Sequence, residues 1–172
     1  YNSTLSQCAW FETYPVQRNT TVAIPGLIAY WSFDELSGTD AWDSTGNITN
    51  RGTKGSGVAV GAAGKINGSY DFENGNANDI VTIGTNIWDA YTQYSVSFWI
   101  KLESAGAGQY GGIISYSQSN EAYGWLFMME GPQLDWYNPP AGAGGNDVIL
   151  VPGFSTGIWY HVVGTRSATR ED

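Results

Sequence analysis

Short runs of alternating apolar and polar residues, each closed by Gly, Pro, Asn or Asp, recur along the chain from Leu27 to Thr165. Period-two alternation sends neighbouring side chains to opposite faces, so each run reads as a strand with one face towards a core. The pattern predicts strands at 27–33, 69–72, 79–83, 94–102, 112–116, 123–130, 134–137, 147–151 and 158–165. The run 94–102 is the clearest, with Val96, Phe98 and Ile100 on one face. Trp99 falls on the other, as in a sandwich strand whose outer side still makes contacts. Between 37 and 68 the chain is rich in Gly, Ser, Thr and Asn, with short apolar pieces such as Val58-Ala-Val60. No segment carries a convincing 3.6 period, although 86–91 suits one short helical turn. Many short strands with regular turn signals predict an all-β fold of sandwich type.

Residues 1–26 lack the alternation and hold the single cysteine, Cys8, together with Pro15 and Pro25. They read as an extended N-terminal arm or linker ending at Pro25-Gly26, with local packing by Trp10, Phe11 and Tyr14. The remainder, 27–172, reads as one domain, because a chain of 172 residues supports one sizeable core.

Composition narrows the function classes. Hydrophobic residues make up 42% and charged residues 13%, which excludes a charge-rich disordered chain. Aromatics at 15%, including eight Trp, favour strands and supply rigid contact area for sugars or partners. The formal net charge of −9 repels phosphate backbones and anionic lipid, so neither nucleic acid nor a membrane surface is an expected partner. No apolar run reaches the length of a membrane span. Four N-glycosylation sequons begin at Asn2, Asn19, Asn47 and Asn67. A chain this rich in Asn, Ser and Thr also generates such triplets by chance. With one Cys no internal disulfide forms, leaving a buried thiol or a bond to another chain. These features suit an extracellular or cell-surface protein.

Five segments carry a family resemblance. They are Leu-Ile-Ala-Tyr-Trp-Ser-Phe-Asp-Glu (27–35), Asp-Ser-Thr-Gly-Asn (43–47), Gly-Lys-Ile-Asn-Gly-Ser-Tyr-Asp-Phe (64–72), Tyr-Ser-Val-Ser-Phe-Trp-Ile-Lys (94–101) and Trp-Tyr-His-Val-Val-Gly-Thr (159–165). In this order they resemble LamG-like jelly-roll domains of the concanavalin A-like lectin/glucanase superfamily. The resemblance implies a two-sheet antiparallel jelly-roll sandwich. It also implies further C-terminal strands after 159–165, including one that pairs beside the first strand, so the domain is expected to be C-terminally incomplete. Three arrangements would cover the open edge: a longer protein, closure by the 1–26 arm, or a strand from a neighbouring subunit. In the second and third, Val22, Ile24 and Leu27 are expected to reach apolar surface.

The same fold hosts lectins, hydrolases and spacers, so chemistry has to be read from residues. Retaining glycoside hydrolysis needs two carboxyl groups across one scissile bond. The glucanase pattern Glu-x-Asp-x-x-Glu on one strand is missing from this sequence. Glu130 and Asp135 come nearest, but the Gly131-Pro132 turn between them is expected to break a shared face. His161 is the only histidine, sits where the family places a strand histidine, and is expected to be structural. One His and one Cys exclude the usual zinc patterns. Calcium suits the segment 43–47, with Asp43 and Asn47 as ligands, because hard cations take oxygen donors from turns. The competing reading is an Asx-type turn in which Asp43 holds backbone amides.

Sugar sites combine an aromatic platform with planar polar groups. Trp125, Trp136 and Tyr137, with Gln133, Asp135 and Asn138 beside them, form the expected carbohydrate-binding set, and 138–146 a possible rim. The functional expectation is a non-enzymatic extracellular recognition or adhesion module that binds carbohydrate. The alternative is a structural subunit of an extracellular filament, sheath or coat, assembled by strand complementation between copies of the chain. Cys8 and the 1–26 arm are the expected points of intermolecular contact.

Overall fold

The computed structural model describes residues 24–73, 78–84, 87–88, 91–104, 110–116, 125–137 and 148–166. These residues are all-β, with one 3-10 turn and every strand pairing antiparallel. The chain divides into two compact units, 1–85 and 86–172, a boundary that differs from the break expected at residue 26.

The first unit holds β1 (Asp40–Ala41), β2 (Gly52–Lys54), β3 (Ala59–Ala63), β4 (Gly68–Asp71) and β5 (Val81–Ile83). β1, β2 and β5 form one sheet in that order, and β3 pairs with β4. Three of these strands come from the Gly-rich stretch 37–68. Ala41, Val58 and Tyr70 are buried together, with Trp31, Phe33, Val60 and Val81 packed around them. Gly52 lies so close to Val81 that an added Cβ would sit 2.7 Å from its side chain, so strand pairing there requires glycine.

The strand expected at 27–33 is not formed. Only Trp31 bridges, opposite Asp43, and Phe33 takes φ of +57°, a left-handed conformation that stops any extended pairing there and that aromatic residues rarely adopt. The turn buries useful contacts in return. The Phe33 ring stacks on Tyr70 with centroids 4.5 Å apart. Asp34 Oδ1 accepts the Gly68 amide at 2.8 Å. Glu35 accepts the Trp42 amide through Oε1 and the Tyr70 hydroxyl through Oε2, both at 2.8 Å. The segments 27–35 and 64–72 are thus locked together side chain to backbone. Burial first, then the hydrogen bond to Glu35 and the charges of Glu35 and Asp40, push the Tyr70 hydroxyl far above its usual range.

Upstream, Leu27 donates its amide to the Ile24 carbonyl at 3.0 Å across Pro25-Gly26. Ile24 is 57% exposed, contrary to its expected apolar cover, whereas Leu27 is half-buried. Val22, Cys8, Asn2 and Asn19 lie outside the described residues.

The second unit holds β6 (Tyr94–Lys101), β7 (Tyr110–Tyr116), β8 (Trp125–Glu130), β9 (Gln133–Tyr137), β10 (Val148–Val151) and β11 (Trp159–Arg166). Of the helical turn expected at 86–91, the described part is a turn in which Tyr91 donates to the Trp88 carbonyl. One sheet runs β10-β9-β8-β7, and β6 pairs with β11 along eight residues. One core joins the two sheets: Val96 and Val162 from the β6–β11 pair meet Phe127, Met129, Leu134 and Trp136 from β8 and β9. Phe98 meets Phe127 edge-on at 5.0 Å. Trp136 lies against the backbone of β11 so tightly that a Cβ on Gly164 would fall 0.8 Å from the ring. The glycine of the 159–165 segment is there to admit an indole. Its Nε1 is buried without a hydrogen-bond partner among the described residues.

Candidate functional site

The Asp43 turn is built inward. Asp43 is 7% exposed. Its Oδ1 accepts the amides of Tyr30 at 3.0 Å and Thr45 at 2.9 Å, and its Oδ2 accepts Asn50 Nδ2 at 2.8 Å. Asn50 in turn takes the Trp31 indole N–H on its carbonyl at 3.0 Å. Three N–H dipoles aimed at one carboxylate present positive ends where a cation would have to sit. Asn47 is exposed and caps the 3-10 turn Ile48–Asn50, its Oδ1 accepting Thr49 N at 3.1 Å and Thr49 Oγ1 at 2.7 Å. The donor set therefore does not fit the calcium site expected of Asp43 and Asn47. It fits the Asx-type turn, which here staples three segments of the first unit. Asn67, in the turn before β4 with φ of +53°, is exposed like Asn47, so both described sequons are accessible.

The β8–β9 hairpin carries most of the expected carbohydrate set, and alternation divides it. Trp136 pairs with Phe127 across the hairpin, its ring 4.3 Å from that of Phe127. At 7% exposure it is a core residue and offers no open face to a sugar, which corrects the expectation of a Trp136 platform. Gln133, Asp135 and Tyr137 share the opposite face with Met128 and Leu150. Gln133 and Tyr137 are half-buried. Asp135 is 1% exposed and takes the Gln133 amide at 2.9 Å on Oδ1, so its carboxylate is sealed from solvent as well. Trp125 begins β8 opposite Tyr116, and Asn138 lies outside the described residues.

The register also corrects the reasoning about Glu130. Gly131-Pro132 closes a tight hairpin in which Glu130 pairs with Gln133 and Met128 with Asp135. Paired residues share a face, so Glu130 and Asp135 are diagonal neighbours on one side of the sheet. What separates them chemically is access: Glu130 is exposed and Asp135 is closed.

A second surface emerges on the outer face of the β6–β11 pair. By register, Ser95 faces Thr165, Ser97 faces Val163, Trp99 faces His161 and Lys101 faces Trp159. Trp99 is 40% exposed and stacks on the His161 ring at 4.9 Å with planes 28° apart. Ser97 Oγ lies 2.8 Å from His161 Nε2, and Lys101 Nζ lies 5.5 Å from the Trp159 ring centroid. Ser97 and His161 have the distance of a nucleophile–base pair, and neither β6 nor β11 carries a carboxylate. Trp99, His161 and both serines on this face are exposed, and a third group to orient the imidazole is part of the usual nucleophile–base arrangement. Alternation assigned Trp99 to an outer side that makes contacts. The pairing with His161 needed the β6–β11 register.

A laminin-G-type model of the concanavalin A-like lectin/glucanases superfamily matches residues 73–171. That match covers more than half of the chain, which therefore belongs to this superfamily. It includes the segments 94–101 and 159–165, while 27–35, 43–47 and 64–72 lie before it. No curated protein and no solved structure matched the chain.

Proposed function

We propose that this chain is a non-enzymatic extracellular recognition or adhesion module whose ligand is carbohydrate. Membership of a lectin/glucanase superfamily supports binding to sugars at the level of the fold. The observation that favours binding over hydrolysis is the closure of Asp135. Of the two carboxyl groups the β8–β9 hairpin brings to one face, one is sealed against any substrate. Glycoside cleavage by the usual route needs both. The accessible sequons at Asn47 and Asn67 are in keeping with an exported protein. A glycan array probed with the full chain tests the reading: selective signal on a group of related sugars supports it, and a blank array overturns it.

One observation favours a second reading, assembly between copies. Among the described residues β10 is an edge of its sheet, paired with β9. Ile149, Leu150 and Val151 on it are 62%, 54% and 45% exposed. An apolar edge with unpaired backbone groups and no charged residue is a template for another strand. Size-exclusion chromatography over a concentration series separates the readings, since a structural subunit forms oligomers that a binding module does not require.

A further inference from the structure

We infer that Asn47 is an attachment site for an N-linked glycan, an inference that rests on the extracellular reading above. The acceptor triplet is open along its whole length: Asn47, Ile48 and Thr49 are all exposed. The turn that presents them is held in place, Asp43 by three N–H donors and Asn50 by its bonds to Asp43 and Trp31. Asn47 is extended, with φ of −80° and ψ of 99°. Its Oδ1 accepts both Thr49 N and Thr49 Oγ1, at 3.1 and 2.7 Å. Both bonds fall on the oxygen, so the turn is capped without Nδ2. Two donors on Oδ1 also polarise the carboxamide, which makes an Nδ2 proton easier to lose. In the transfer Nδ2 attacks C1 of a sugar activated as a polyprenyl diphosphate. The Nδ2–C1 bond forms, the C1–O bond breaks with its electron pair going to the diphosphate, and one Nδ2 proton passes to a base of the transferase. Oδ1 is untouched, so the cap persists in the product.

Two observations set Asn47 apart from the other described sequon. Asn67 is exposed too, but Gly68 and Ser69 after it are half-buried in β4. Ser69 pairs with Ala62 on β3, and Gly68 donates its amide to Asp34. The acceptor pattern needs the Ser or Thr hydroxyl as well as the carboxamide, so a transferase would have to lift β4 off β3 to grip both at Asn67. At 47–49 both groups already stand clear. Ile48, in the middle of the triplet, is 78% exposed and belongs to neither core. The C–H face of a sugar ring joined to the adjacent residue would take part of that apolar surface out of water. A glycan is bulky and solubilising, so it would also keep this apolar tip from meeting another surface.

Expression of the full chain through the secretory pathway of cultured eukaryotic cells tests this, with glycopeptide mapping of the cell-associated and secreted protein together. Mapping by site is needed because Asn2, Asn19 and Asn67 also begin sequons. The expected result is a glycan on Asn47, released by a peptide amidase, with higher occupancy there than at Asn67. Ile48→Pro is expected to abolish it, since proline in the middle position blocks the triplet. That change should spare the fold, because Ile48 opens the 3-10 turn and the first position of a helical turn tolerates proline; an unchanged circular dichroism spectrum checks it. Thr49→Ser should keep the modification and Thr49→Ala should lose it. An unmodified Asn47 in the parent chain, or a glycan retained there in Ile48→Pro, overturns the inference. Occupancy at Asn67 equal to or above that at Asn47 overturns it as well. The carbohydrate reading is judged separately by the array: sugar binding by a chain with a bare Asn47 removes this inference alone, and a blank array with Asn47 occupied removes the other alone.

Discussion

Replacing Gly164 by Ala is the sharpest perturbation of the second unit. On backbone grounds alone the change should help, since glycine inside a strand costs roughly 0.5–1 kcal/mol relative to alanine. The packing says the opposite. The new methyl would lie 0.8 Å from Trp136 Cζ3 and under 2 Å from two further ring carbons. Carbon atoms rest about 3.5–4.0 Å apart, so the indole must withdraw by roughly 3 Å. Its movement is restricted, because the buried Phe127 ring packs beside it with centroids 4.3 Å apart. Overpacking of this kind costs about 3 kcal/mol, several times the propensity gain. Trp136→Ala alone should cost about 3–5 kcal/mol through lost burial and a cavity. In the double variant the methyl enters that cavity, so the total should stay near the Trp136→Ala value. Urea unfolding followed by far-UV circular dichroism gives the four free energies of the cycle. The reasoning is refuted if Gly164→Ala is neutral or stabilising, or if the two costs add within about 0.5 kcal/mol.

Other consequences follow from the first unit and the β10 edge. Asp43→Ala strands three N–H donors and should destabilise by about 2–4 kcal/mol in thermal or urea unfolding. EDTA should leave the melting temperature of the parent chain unchanged, and a calcium-reversible fall of several degrees would contradict the N–H-braced turn. The Tyr70 hydroxyl is raised above the ordinary 10.0 chiefly by burial, so above about pH 10 the unfolded chain loses a proton the native one keeps. Stability is therefore full below that pH and falls as pH rises towards the folded value. Tyr70→Phe should make this alkaline fall shallower, and an identical slope in melting temperature against pH would count against it. Leu150→Lys should abolish concentration-dependent association in size exclusion if β10 is the pairing edge, without lowering the unfolding midpoint.

Much of the second unit was legible because its strands alternate cleanly. Val96, Phe98 and Val162 fall on the buried side as period two requires, and Trp99 on the other. The first unit was harder, because its strands are short and Gly-rich and their cohesion comes from side chain–backbone bonds that periodicity does not register. Phe33 shows the limit: the alternation through 27–33 continues on paper, yet at its end one aromatic takes a positive φ and stacks on Tyr70. The carbohydrate set illustrates a different lapse. Trp136 stands between Asp135 and Tyr137 on one strand, so it could not share their face. Applying alternation there would have sent Trp136 to the core. The Trp99–His161 stack depended on the register of two strands about 60 residues apart in sequence, which no local pattern reveals.

The most direct test of the account follows retention and cleavage in one incubation of the full chain with a panel of soluble polysaccharides. The account predicts that at least one polymer retards the chain in a native gel while the count of reducing ends in that polymer stays constant. New reducing ends that disappear in a Glu130→Gln variant, or migration unaffected by every polymer, would contradict it.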